Sequence, residues 1–244
     1  MFDMDRAKRV FDFSLALAGL ALTLPVLLGA MLAIWLQDGH NPIYWASRVG
    51  QGNRNFRMLK LRTMVPGTDR LGGRLAPDGD PRVTRVGAWL RARKIDELPQ
   101  LLNVIRGEMS VVGPRPDLRE GVDLYSGDEL RLLEVRPGMT DFSSLLFFDE
   151  GRLLAEVRDP DACYRTVIRP LKRRLGLLYV ERRTLAIDLR LAWLTVKRFA
   201  ARQPALAQAG EMLAALDAET DLIAVFGDRV QTASLSGKLG TIRG

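Results

Sequence analysis

Asp96 and Glu97 stand side by side within RVTRVGAWLRARKIDELPQLLNVIRGEMSVVGPRP, Arg82 to Pro116, the stretch of the chain densest in reactive side chains. An acidic pair among many arginines suits chemistry on phosphorus. A carboxylate kept ionised can attack a phosphorus atom and form an acyl phosphate, splitting one displacement into two easier steps. Pro99, whose fixed φ suits the first position of a helix, opens PQLLNVIR, and Gly107 stops it. The pair therefore falls just before a helix N-terminus, where the dipole and free N–H groups favour negative charge and bound phosphate. Mg2+ fits such a site, because it prefers oxygen ligands, accepts one or two protein carboxylates and bridges diphosphate oxygens. Arg82 and Arg85 before the pair, and Arg115 in GPRP after it, lie on turns or element ends where planar guanidinium groups can grip phosphate. The competing reading is plain helix capping with dipole compensation.

Those side chains need a scaffold, and its first part is a membrane segment. FSLALAGLALTLPVLLGAMLAIWL, Phe13 to Leu36, carries no charge over about 24 residues, enough for a membrane helix. It exceeds a usual signal-peptide core and lacks a small-residue cleavage site with a polar exit. Pro25 sits mid-run, where it cannot donate to the carbonyl of Ala21, so a kink is expected. Arg6, Lys8 and Arg9 precede the run, and Arg48, Arg54, Arg57, Lys60 and Arg62 follow it. Both flanks favour the cytoplasmic side, which a re-entrant helix bending at Pro25 satisfies; a kinked single span is the alternative.

Beyond the segment, Asn41 to Met64 reads as two short strands around a Gly50-Gln51-Gly52-Asn53 turn. VPGTDRLGGRLAPDGDPR reads as a surface loop, either closing over a substrate or merely connecting. Helical patterning resumes from Val83 to Arg93. From Tyr164 to Arg202, apolar residues alternate with arginine and lysine, as in helices lying on an anionic membrane with Trp193 and Phe199 turned inward; a core-packed pair with a basic outer face is the alternative. After Pro204 the expectation is one short amphipathic helix and one strand. The fold class is α+β and predominantly helical. Its parts are a re-entrant membrane hairpin (1–40), a small cytoplasmic catalytic domain with short strands and interfacial helices (41–202), and a C-terminal extension without a readable role (203–244).

Composition narrows the partners. A net charge of +7 and a pI near 10.0 point to anionic ones. One cysteine, Cys163, and one histidine, His40, exclude an internal disulfide, a cysteine zinc site and paired-histidine metal binding. Few aromatics interleave the basic stretches, which argues against nucleic acid. A non-enzymatic membrane-anchored basic protein or scaffold remains the functional alternative, and a homo-oligomer is compatible with the sequence.

KRVFDFSLALAGLALTLP, SRVGQGNRNFRMLKLRTM, DPRVTRVGAWLRARKIDELPQLLNVIRGEMSVVGPRP and VRPGMT, in that order, resemble the bacterial sugar transferase family, the monotopic phosphoglycosyl transferases. The resemblance runs from about Lys8 to Arg202, and the DELPQLLNVIRGEMSVVGPRP stretch is specific on its own. It implies a re-entrant helix broken at Pro25 and an active site at the cytoplasmic face of the inner membrane. It also implies transfer of a sugar-1-phosphate from a UDP-sugar to polyprenyl (undecaprenyl) phosphate, releasing UMP, at the start of exopolysaccharide or glycoconjugate synthesis. Asp96 would attack and carry the phosphosugar covalently, and Glu97 would bind Mg2+. Arg115, with Arg85, would contact the nucleotide phosphates; Lys60 and Arg62 would line the site. The chain departs from the pattern at Leu24, where several members have serine, and at PGMTDFSSLLFFDE, which looks like the compact branch; sugar choice is not inherited. The last forty or so residues match nothing in the family pattern.

Overall fold

The computed structural model describes residues 2–68 and 75–231. In chain order its elements are α1 (Phe2–Asp38), β1 (Ile43–Val49), β2 (Asn55–Leu61), α2 (Arg85–Ala92), α3 (Gln100–Arg106), β3 (Ser110–Val112), α4 (Arg119–Val122), β4 (Gly138–Thr140), α5 (Phe142–Leu146), α6 (Glu150–Ala155), α7 (Pro160–Cys163), α8 (Arg169–Arg182), α9 (Leu185–Ala200), α10 (Arg202–Ala215) and α11 (Thr220–Gln231). The class is α+β and predominantly helical, with a long apolar N-terminal helix able to cross a membrane by length and composition.

The hairpin forms as its turn residues dictate. β1 and β2 pair antiparallel from Ile43–Leu61 to Val49–Asn55, and Gly52 and Asn53 take the left-handed conformation the tight turn requires, φ 66° and 61°. β3 and β4 form a separate parallel pair, Ser110 beside Gly138 and Val112 beside Thr140. Residues 69–74 of the expected loop, and 232–244, lie outside the described residues.

Three apolar clusters hold these parts together. Ala16 of α1, Ala46, Met58, Leu101, Val104 and Met109 form one; Leu27, Ala30 and Ile34 of α1 with Leu61 and Leu90 form another. The largest joins Val112, Phe142, Leu146, Leu175, Leu191, Leu206, Leu213 and Phe226, so α10 and α11 share a core with α5, α8 and α9. Among the described residues the extension is helical, α10 and α11: Leu222, Phe226 and Arg229 are buried at spacings of four and three, the period of a helix face.

α1 runs helical from Phe2 to Asp38 with Pro25 inside it, so the helix-break-helix boundary expected there is a single uninterrupted helix. A proline removes only one N–H, and Leu20 and Leu27 on either side of it pack against the same domain, holding the helix through that point. Polar contacts fix both ends. Lys8 Nζ donates to Asp188 Oδ2 (2.7 Å) and the Val112 carbonyl (3.0 Å), Tyr179 donates to Asp188 Oδ1 (2.7 Å), and Arg9 caps α3 at the carbonyls of Val104 and Ile105. At the far end Arg62 clasps Asp38 through two bonds of 2.7 and 2.6 Å. The opposite side of α1 is open, with Leu17, Leu22, Val26, Leu28, Leu32 and Leu36 exposed.

α8 buries Leu171, Leu175 and Tyr179 in the core, as the core-packed alternative expects. α9 has two apolar sides: Ile187, Leu191 and Leu194 face inward, while Leu189, Trp193, Val196 and Phe199 are exposed.

Candidate active site

Lys94 adopts a left-handed conformation (φ 56°) and turns the chain into a tight 3-10 turn, Ile95–Glu97, ahead of Pro99 and α3. This turn puts Asp96 and Glu97 in different surroundings. Asp96 is 6% exposed, and its Oδ1 is buried without a hydrogen-bond partner. No side chain caps α3, so the plain capping reading of the acidic pair fails. Glu97 accepts from Lys60 Nζ at 3.0 Å and is held by Arg115 through both carboxylate oxygens, one bond at 3.2 Å.

Each of these partners is placed by backbone architecture. Lys60 projects from β2, which Asn103 of α3 bolts down: its Oδ1 accepts from the Leu59 N–H (2.9 Å), and its Nδ2 donates to the Arg57 carbonyl (2.8 Å) and Glu108 Oε2 (2.7 Å). Arg115 sits in the Pro114–Pro116 turn after β3, where Gly113 and Gly138 lie so close that a Cβ on Gly138 would fall 2.1 Å from the Gly113 nitrogen. α2 seats Gly87 equally tightly on Thr63, whose hydroxyl accepts from Arg91 Nε at 2.8 Å.

The electrostatics separate the two acids. Burial pushes the Asp96 carboxyl up from its ordinary value, against the attraction of Lys60 and with the repulsion of Glu97. Burial also opposes ionisation of Glu97, but Arg115, Lys60 and Lys94 outweigh it and hold that carboxyl well below the usual range. Burial lowers Lys94, which lies within the field of both acids.

Of the residues singled out from sequence, the structure brings together Asp96, Glu97, Lys60 and Arg115. Arg62 is engaged by Asp38 at the end of α1, and Arg82 is clasped by Asp80 (Nε–Oδ1 3.0 Å, Nη2–Oδ2 2.6 Å) and bonded to the Leu75 carbonyl. Arg85 is exposed on the first turn of α2 and has no hydrogen bond to either acid among the described residues. Sequence reasoning passed over Lys94 and Arg91, whose charges act on Asp96, and Arg48, which burial and the nearby Arg115 push below its ordinary pKa. Both Arg91 and Lys94 lie within five residues of Asp96 in LRARKIDE, but their convergence on it depends on the left-handed Lys94. No group of three or more His, Cys, Asp or Glu able to hold a metal occurs among the described residues; His40 is exposed and Cys163 half-buried.

The sequence profile of the family described as "Bacterial sugar transferase" matches residues 4–202. The chain belongs to the bacterial sugar transferase family. Among its relatives, the "Uncharacterized sugar transferase EpsL" of Bacillus subtilis is 33% identical over 191 residues, covering 78% of this chain and 86% of EpsL. The "UDP-glucose:undecaprenyl-phosphate glucose-1-phosphate transferase" of Caulobacter vibrioides is 45% identical over 145 residues, 58% of this chain and 54% of that protein. The "Exopolysaccharide production protein ExoY" of Rhizobium meliloti is 42% identical over 149 residues, 55% of this chain and 66% of ExoY. The chain thus spans about half to two thirds of the length of the last two. The family match covers the acidic pair, its ring of cations and α1 from Met4 onward, so this sugar transferase carries its whole candidate site within the shared region.

Proposed function

We propose that this sugar transferase moves a sugar-1-phosphate from a UDP-sugar to undecaprenyl phosphate, giving the lipid diphosphosugar and UMP. An Asp96 carboxylate oxygen attacks the sugar-linked phosphorus, the P–O–P bond to the nucleotide breaks, and UMP leaves with the electron pair. A phosphate oxygen of the lipid acceptor then attacks the same phosphorus and expels Asp96. The observation that carries this reading is the buried Asp96, with one carboxylate oxygen unpartnered and Lys60, Lys94 and Arg91 drawing its charge. Those cations, with Arg115, offset the approach of an anion to an anion.

The donor set fits Mg2+: Asp96 Oδ1 has no partner, and Glu97 Oε2, which accepts one bond from Arg115, keeps a lone pair as a second hard donor. Asp96 and Glu97 would hold the ion, which would neutralise diphosphate charge when bound. Arg115 already grips one carboxylate through two bonds, a geometry that a phosphate can take over. The enzyme would sit on the cytoplasmic face of the inner membrane, with α1 and the exposed side of α9 in the lipid. Both ends of α1 would stay on that face, as the re-entrant reading expects. Exopolysaccharide synthesis is the setting, by analogy with the exopolysaccharide production protein ExoY.

UMP release by detergent-purified protein, with Mg2+ and a panel of UDP-sugars, tests the reading. Wild type should release UMP from one sugar, and Asp96→Asn should lose at least about a thousandfold, the scale of losing a covalent nucleophile. An Asp96→Asn variant as active as wild type would sink it.

A further inference from the structure

Asp149, at the start of α6, gathers three arginines from three successive helices. Arg229 of α11 bonds its Oδ1, Arg202 at the start of α10 places Nη2 3.2 Å from Oδ2, and Arg198 of α9 places Nη2 3.7 Å from Oδ1. One carboxylate cannot serve all three. Arg198 Nε and Nη2 and Arg202 Nη2 are buried without a hydrogen bond, although the Arg198 side chain is only 5% exposed. Buried guanidinium groups left this way are costly, and a second anion would satisfy them. Burial also lowers Arg198 to about 10, with Arg202 and Arg229 repelling it. The cluster is open at Asp149 and Arg202, 19% and 26% exposed.

Its position ties it to the acidic pair. The two sites share the Phe148 ring, with the Arg198 guanidinium 4.8 Å and Lys94 Nζ 5.3 Å from its centroid. Lys94 is two residues from Asp96. On the outer side Phe199 packs edge-on against Phe148 (4.9 Å, 85°) and continues into the exposed apolar face of α9, Trp193 and Val196. Cationic donors next to an exposed apolar face match a phosphate that carries a hydrocarbon chain; a water-soluble nucleotide gains nothing from that face.

We propose that Arg198 and Arg202, beside Phe148, form a docking site for the phosphate of a lipid-borne phosphomonoester, which enters along α9 and waits next to the Asp96 centre. Planar guanidinium groups suit this, because each can give a phosphate two parallel bonds. The identity of the lipid as the acceptor rests on the function proposed above.

Equilibrium binding to the detergent-solubilised full chain tests the site without turnover, using a short-chain polyprenyl phosphate, the corresponding polyprenol, UMP and inorganic phosphate as ligands. Arg202→Gln should weaken the polyprenyl phosphate about tenfold or more, the loss of a charged hydrogen bond, Arg202→Lys should recover part of it, and UMP binding should not change. UMP binding also reports that the variants are folded. A polyprenyl phosphate that binds Arg202→Gln as it binds wild type overturns the site. An equal loss for UMP, or inorganic phosphate competing as well as the lipid, overturns the lipid assignment. A photoreactive polyprenyl phosphate on wild type needs no variant: adducts on residues 193–202 are expected, and adducts confined elsewhere refute the proposal. Wild-type UMP release measures the proposed reaction separately, so failure of one is not failure of the other.

Discussion

Asp96 and Glu97 are neighbours in sequence, yet burial raises the first while Arg115 and Lys60, against burial, hold the second down. In the proposed reaction the attacking form of Asp96 is the deprotonated one. Its raised pKa therefore places the acid limb of the pH profile above the ordinary carboxylate value of 3.8, and the rate of UMP release should climb as pH rises through it. Lys60 is the strongest charge drawing that pKa down. Lys60→Met should move the acid limb to higher pH, with a loss at mildly acidic pH that alkaline buffer partly restores; an acid limb unmoved by the substitution would refute the assignment. The acids and Arg115 were legible from sequence because a DELP-type turn and a GPRP turn announce element ends, whereas Lys60, inside a strand, came only with the family resemblance. Lys94 and Arg91 were not, because their convergence depends on a left-handed lysine that no residue preference signals. Arg82 was misleading for a local reason: Asp80, two residues away, already holds its guanidinium.

At the level of elements, the turn and cap residues carried the reading. Gly52 and Asn53 marked the β1–β2 hairpin, and Gly107, at φ 84°, ends α3 where expected. The parallel β3–β4 pair gave no such signal, since each strand has three residues and no alternation to read. In the extension, the buried positions of α11, Leu222, Phe226 and Arg229, follow a helical period. The β3–β4 contact leads directly into the turn that presents Arg115, which makes it a sensitive place to perturb. Gly138→Ala would push a methyl group into the Gly113 backbone, with contacts of 2.1 Å to its nitrogen and 2.4 Å to its oxygen. Overpacking of this kind costs about 1–3 kcal/mol. The thermal midpoint should fall, and UMP release should drop further than the lost folded fraction explains, because the turn carrying Arg115 must shift. A variant with wild-type stability and rate would mean that the strands separate without cost.

For the whole molecule, the question is how a helix this long meets a bilayer. α1 has 37 residues, which at about 1.5 Å each is roughly 55 Å, well beyond a hydrocarbon core of about 30 Å. The sequence offered charge on both flanks, Pro25 mid-run and the family resemblance. The structure supplies a mechanical reason: the catalytic domain packs along α1 from Lys8 and Ala16 to Ile34 and Asp38, rather than at one end. A perpendicular span would therefore pull β1, β2, α3 and their charged side chains into hydrocarbon, at a cost of several kcal/mol for each desolvated charge. Seating the exposed Leu17, Leu22, Leu28 and Leu32 side in one leaflet avoids that cost and leaves both ends in water. Cys163 is the single cysteine, so Cys163→Ser gives a background for labelling. In right-side-out cells, Asp5→Cys and His40→Cys should both resist a membrane-impermeant maleimide, and both should react once the inner membrane is opened. Labelling of one position but not the other in intact cells would establish a spanning helix, and the packing along α1 would then have to come apart in the membrane.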